Sequence, residues 1–171
     1  MMEVLKYPDP LLRRNGRDIT EFDDSLHATI EQLLETMYQY RGVGLAAPQV
    51  GLDLNLLVLN PTGAADDAAD EHVLINPKIK SRKKLEYGEE GCLSFPGIYA
   101  EVERHRDIVV EYQDANGEQH DEKLDGFLAR IVLHEMDHLN GVLFVDRLAP
   151  AERIRVRSKL AELEKSFPAK A

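Results

Sequence analysis

Apolar residues recur along this chain at two periods, and the changes of period divide it into elements. Leu26, Ile30, Leu33, Leu34 and Met37 fall at helical spacing, which predicts a helix over Ser25–Tyr40 with one stripe turned to a core. Asp23, Asp24 or Ser25 can cap its start, and Gly42 is placed to stop it. A second helix is expected over Gly126–Asn140, closed by Gly141, with Phe127, Ile131, His134 and His138 on one face. A third is expected from Pro150 to about Glu164, with proline in its first turn. Strands are expected at about Leu54–Asn60, Val73–Asn76 and Lys78–Tyr87. Within Glu101–Gln113, Ile108, Val110 and Tyr112 alternate, and Asn116-Gly117 then turns the chain into a return strand over Gln119–Leu124.

The remaining stretches carry turn chemistry. Residues 1–24 read as an extended lead-in, with turns at Tyr7–Pro10 and Asn15-Gly16. Thr62–Glu71 is rich in Ala and Asp without periodicity and reads as a mobile surface loop. Phe95-Pro96-Gly97 is expected to turn the chain. Gly42–Gln49 is built of small residues, which let backbone approach a ligand closely. No repeat and no linker is visible, so residues 1–171 are expected to form one catalytic domain, with 150–171 as a C-terminal helix and tail.

Composition narrows the class. With 43% hydrophobic and 30% charged residues the chain can build a core and is not a disordered sequence. No apolar run is long enough to span a bilayer and the first residues carry no signal-peptide pattern, so a cytoplasmic location and no membrane contact are expected. A net charge of −10 argues against DNA binding. Residues 150–171 depart from that balance: six basic against three acidic residues give +3, leaving −13 for residues 1–149. A lone cysteine, Cys92, excludes an intramolecular disulfide.

The strongest chemical signal is His134-Glu135-Met136-Asp137-His138. At ~100° per helical residue, positions four apart leave from nearly the same face, so both imidazoles can reach one metal ion. Glu135 leaves at another angle and can meet a metal-bound water as a general base. Two histidines need a third protein ligand. The pattern H-E-x-x-H-x-x-G-x-x-H holds through Gly141 but puts Phe144 where its last histidine belongs. Cys92, 42 residues upstream of His134, is the better candidate, because a thiolate suits zinc, ferrous iron, cobalt or nickel; Asp146 stays open without a motif behind it. His27, His72, His105 and His120 show no competing spacing. Three readings follow: a narrow metallohydrolase, a broad metallopeptidase, or a structural metal site, the last needing four protein ligands.

Gly42-Val43-Gly44-Leu45-Ala46-Ala47-Pro48-Gln49, Glu90-Gly91-Cys92-Leu93-Ser94 and His134–Gly141 occur in this order, and together they resemble the three signature motifs of peptide deformylase. The resemblance runs from Val4 through the C-terminal helix, with Leu133 standing where the family often has glutamine. It implies an α+β fold with mixed, mainly antiparallel strands around a central metal-binding helix. It also implies a hydrolase of protein biosynthesis that removes the formyl group from N-terminal formyl-methionine of nascent peptides. Cys92, His134 and His138 would hold one divalent ion, Fe2+ in cells, with Zn2+, Ni2+ or Co2+ able to substitute. Glu135 would act as base and then acid on a metal-bound water, with the Gln49 amide and the Leu93 backbone N–H as oxyanion donors. Gly44 would lend backbone contacts to a peptide bound as an added strand. Val43, Phe127 and Ile131 are expected to line the methionine pocket, from the helix-face argument. Glu90 and Arg104 match a charged pair near the site, and the C-terminal helix would dock on the ribosome.

Overall fold

The computed structural model describes residues 2–168. Three α-helices, α1 (Asp24–Gln39), α2 (Gly126–Leu139) and α3 (Pro150–Ser166), accompany five strands: β1 (Gly44–Ala46), β2 (Leu56–Leu59), β3 (His72–Cys92), β4 (Phe95–Gln113) and β5 (Gln119–Asp125). The strands form one sheet in chain order, and every neighbouring pair is antiparallel. The single parallel element among the described residues is an isolated bridge between Arg17 and Leu54. α2 packs on β1, β2, β4 and β5, so the helix carrying the histidines lies against the sheet as the α+β expectation requires.

The three helices follow their apolar periods. In α1, Leu26, Ile30, Leu33 and Met37 are buried, and the Asp23 carboxylate caps the helix by accepting from Leu26 N–H at 3.0 Å. Its end differs from expectation. Gly42 N–H donates to Met37 O at 2.9 Å and Arg41 N–H to Tyr38 O at 3.0 Å, so the left-handed closing residue is Arg41 (φ 59), one position before the glycine. α2 closes as expected: Gly141 is left-handed (φ 71), and Val142 N–H reaches Asp137 O at 2.9 Å. α3 buries Val156 and packs on β4, while Arg155 donates to Tyr99 O at 2.6 Å. The tail beyond Pro168, including Lys170, lies outside the described residues.

The strands are longer than the sequence suggested. Val73–Asn76 and Lys78–Tyr87 belong to one strand, β3, which absorbs Pro77 at a register shift between Ile75 and Lys78. The chain reverses at Leu93-Ser94, not at Phe95-Pro96-Gly97, which already belongs to β4; Cys92 pairs with Phe95 across the turn. Gly91 needs no unusual backbone angle. A Cβ there would sit 2.6 Å from the Tyr99 ring, so close approach explains the glycine. Thr62–Glu71 is largely exposed and includes a short 3-10 turn at Ala68–Asp70.

The buried side chains form three clusters. One joins α1 to β1 and β2, a second joins the sheet to α2, and a third joins Leu12, Phe95, Phe144 and Val156 beneath α3. The lead-in is hydrogen-bonded to the site loops: Leu5 N–H donates to Gln49 O at 2.7 Å, Tyr7 N–H to Ser94 O at 2.8 Å and Lys6 Nζ to Leu93 O at 3.2 Å.

Candidate metal centre and cleft

α2 presents His134 and His138 one turn apart, and the end of β3 brings Cys92 to the same point. One donor atom from each lies within 4.8 Å of the others. Cys92 Sγ and His138 Nε2 are 3.4 Å apart. Usual distances of about 2.3 Å to sulfur and 2.1 Å to nitrogen put two donors on one tetrahedral ion about 3.5 Å apart, so this edge fits a shared ion. Asp146 is not part of the group; it pairs with Arg13 at 3.1 Å and accepts from Leu143 N–H at 2.9 Å. A second cluster, Asp114, Glu118 and His120, sits at the β4–β5 turn, with its histidine already bonded to Asp114.

The surroundings orient each candidate ligand. His134 Nδ1 faces Glu90 Oε1 at 2.8 Å, which leaves Nε2 for the ligand side. Burial alone would lower the His134 pKa, but hydrogen bonds to Cys92 and Glu90 raise it well above the ordinary histidine value, so a metal ion held between His134 and Cys92 would have to displace the Nε2 proton. Burial holds His138 well below that value, so its ring is neutral and able to donate a lone pair. Glu90 is itself buried, which would raise its pKa, yet Arg104 and His134 hold it well below the usual carboxylate range. Arg104 grips Glu90 through Nε and Nη2, each at 2.9 Å, and also reaches Asp137 at 2.6 Å, which Arg147 holds from the other side at 2.6 and 2.8 Å. The expected Glu90–Arg104 pair is therefore buried, not a surface pair.

Glu135 lies on α2 beside this group, 6% exposed, and its Oε1 is buried without a hydrogen-bond partner. Burial is the largest influence on it and pushes the carboxyl up to about 7; His134 pulls it down and Glu90 pushes it further up. Gln49, in the 3-10 turn after β1, is oriented by its own amide: Oε1 accepts from Ala46 N–H at 3.0 Å, and Nε2 points to Ser94 Oγ at 3.1 Å and Cys92 Sγ at 3.5 Å. Leu93 follows Cys92 at the turn and is half-buried.

A cleft opens over these groups. Val43, Gly44, Gln49, Cys92, Leu93, Phe127, Ile131, His134 and Glu135 all line it, as does Glu90; His138, which is buried, Arg104 and Asp146 do not. Phe127 is 56% exposed, a wall at the mouth, whereas Ile131 is buried. Gly44 is held against α2: a Cβ there would lie 2.8 Å from Glu135 Oε2 and 2.9 Å from Ile131 Cγ2. β1 pairs with β2 on one side and stands at the end of the strand order. Sequence reasoning passed over Ser94, Arg130, Asp137 and Arg147. Ser94 and Asp137 stood inside quoted motifs, and their neighbours were the available signal; Arg130 and Arg147 carried none.

Comparison with known proteins agrees with this geometry. Residues 1–154 match the family model of polypeptide deformylase. A peptide deformylase of Thermotoga sp. (strain RQ2) is 45% identical over 167 residues, covering 97% of this chain and 98% of that protein. The chloroplastic/mitochondrial peptide deformylase 1B of Arabidopsis thaliana is 44% identical, covering 99% of this chain and 62% of that longer protein. Among solved structures, the Plasmodium falciparum peptide deformylase superposes with a TM-score of 0.94 at 40% identity, covering 96% of each chain. The matches run over nearly the whole of this chain, not over one motif: this chain belongs to the polypeptide deformylase family and is an enzyme of that family.

Proposed function

We propose that this enzyme hydrolyses the formyl amide at the N-terminal formyl-methionine of nascent peptides, releasing formate and a free amine, in the compartment where such chains emerge, the bacterial cytoplasm. The observation that carries the reading is an open donor set, Cys92, His134 and His138, with a buried, unpartnered carboxylate oxygen of Glu135 beside it. A structural site would close its shell with a fourth ligand. These donors suit a divalent ion, Fe2+ in the cell by family resemblance, with Zn2+, Ni2+ or Co2+ as substitutes. When bound, the ion supplies positive charge that acidifies a water and polarises the formyl carbonyl.

The chain's own groups do the rest. Glu135 accepts the proton of the attacking water and returns it to the leaving amine nitrogen. Its carboxyl, pushed up to about 7 by burial, would be drawn down by a cation held on Cys92, His134 and His138, which would favour the ionised, accepting form. Gln49 Nε2 and the Leu93 backbone N–H donate to the developing oxyanion, and the Ala46 contact holds the Gln49 amide in that sense. The peptide lies along β1 with backbone contacts to Gly44, and the methionine side chain enters the cleft between Val43, Phe127 and Ile131. The test follows formate and new amine from formyl-Met-Ala-Ser beside unblocked peptide and casein. One formate per new amine, with no cleavage of the unblocked substrates, is expected. Casein cleavage without formate release would replace this reading with a broad metallopeptidase.

A further inference from the structure

Arg130 lies four residues before His134 on α2, so the two side chains leave the same face one turn apart. Both reach Glu90. The carboxylate receives Arg104 Nη2 at 2.9 Å and His134 Nδ1 at 2.8 Å on Oε1, and Arg104 Nε at 2.9 Å and Arg130 Nη1 at 2.7 Å on Oε2. Arg130 is also tied to the backbone of both long strands: Nη1 donates to Val102 O at 2.8 Å and, more distantly, to Gly88 O at 3.4 Å, and Nη2 donates to Glu86 O at 3.1 Å. Its side chain is 10% exposed.

We propose that Arg130 is a positioning residue for the metal centre, acting through Glu90 and made possible by the glycine at position 88. The rotation of the Glu90 carboxylate decides which oxygen His134 meets, and hence the direction of His134 Nε2. Arg104 alone is a divided anchor, because its Nη1 is committed to Asp137. Arg130 fixes the second oxygen from the helix that bears His134, so carboxylate and imidazole are referred to one rigid element. The planar guanidinium reaches Glu90 and the strand carbonyls at once, which a lysine ammonium on its flexible stem does not. Gly88 leaves the required room: a Cβ there would stand 2.8 Å from Arg130 Cζ, 2.9 Å from Nε and 3.0 Å from Nη2.

This inference rests on the metal reading above, and the test separates the two. The parent, Arg130→Met and Arg130→Lys are stripped and reloaded with cobalt(II). The cobalt affinity is measured by chelator competition, the cobalt absorption spectrum is recorded, and kcat and KM are measured at saturating cobalt. Loss of an outer partner of a metal-bound histidine typically weakens metal binding or activity about 10–100-fold, and Arg130→Met, which leaves that partner Glu90 in place, is expected at the low end, about tenfold, with a changed spectrum and a lower kcat at unchanged KM. Arg130→Lys is expected to fall between Met and the parent. Gly88→Ala should reproduce the loss in the parent and add little to Arg130→Met, since both act on one contact. Parental affinity and spectrum in Arg130→Met would overturn the proposal; if that variant does not fold, the same result in Arg130→Lys overturns it. Full additivity with Gly88→Ala would remove Gly88 from the device and overturn that part. A parent that takes up no cobalt would overturn the metal reading itself, an outcome distinct from these.

Discussion

Replacing Gly44 by alanine adds one methyl group where β1 meets α2. Gly44 lies in a strand and its backbone is outside the left-handed region, so alanine meets no conformational penalty. The penalty is steric. The new Cβ would stand 2.8 Å from Glu135 Oε2, 2.9 Å from Ile131 Cγ2 and 3.0 Å from Glu135 Cγ. Ordinary carbon contacts begin about half an ångström further out, so β1 and α2 must part or the Glu135 side chain must swing away. Overpacking of this kind costs about 1–3 kcal/mol, which for a chain of this size lowers the melting midpoint by about 2–10 °C. The catalytic cost is separate. A displacement of 1 Å in a reacting group can cost about 100-fold, so half of that distance at Glu135 should lower kcat by about tenfold. Steady-state turnover of formyl-Met-Ala-Ser and thermal unfolding on one preparation give both numbers. Parental kcat with a parental midpoint would refute the packing argument, because no relaxed position for the methyl group exists in the observed arrangement.

Three further outcomes are expected. Cys92→Ser should hold metal far more weakly, since a neutral hydroxyl replaces a thiolate; stoichiometric metal with unchanged turnover would exclude Cys92 as a ligand. Arg157 and Lys165 are exposed on α3; if this face docks on the ribosome, as the family resemblance implies, reversing both to glutamate should abolish co-sedimentation with ribosomes at about 0.1 M salt while turnover of short peptides is kept, and equal pelleting would exclude this face as the docking surface. Burial would raise the Asp146 carboxyl, but Arg13 and the Leu143 N–H hold it below its ordinary value, so its stabilising contribution is present above the usual aspartate range near about 3.9 and is lost as pH falls through the depressed value. Asp146→Asn should therefore lower the melting midpoint at pH 6, and the difference from the parent should shrink as pH falls below the ordinary aspartate value of about 3.9; a difference that stays constant as pH falls would refute the linkage.

The helices were legible because each buries a stripe at one period: Leu26, Ile30, Leu33 and Met37 announce α1 without reference to any partner. β3 was legible only in pieces: Val73–Asn76 and Lys78–Tyr87 were expected as separate strands, because Pro77 stands between them where a register shift tolerates it, and the continuation to Cys92 carries no alternation. The candidate histidine ligands were legible because helix geometry fixes their relation locally, whereas Cys92 was reached only through the failure of the third-histidine position at Phe144 and the chemistry of a thiolate. Of the network behind them only the Glu90–Arg104 pair was expected, and only through the family resemblance. Glu90 meets Arg104 and Arg130 across 14 and 40 residues, and such pairs leave no local pattern. The small residues of Gly42–Gln49 pointed to close approach, but the nearest thing approached at Gly44 is Glu135 of α2, with the cleft beside it.

Glu135→Gln tests the central claim most directly, because glutamine keeps the size of the buried side chain and removes its ability to accept a proton. Metal per chain and turnover of formyl-Met-Ala-Ser are measured on one preparation. The account predicts parental metal content, retained binding of the formylated peptide and a loss of turnover of about 10²–10⁴-fold. Loss of metal together with activity would make Glu135 a ligand or a structural group, and near-parental turnover with full metal would contradict the account outright.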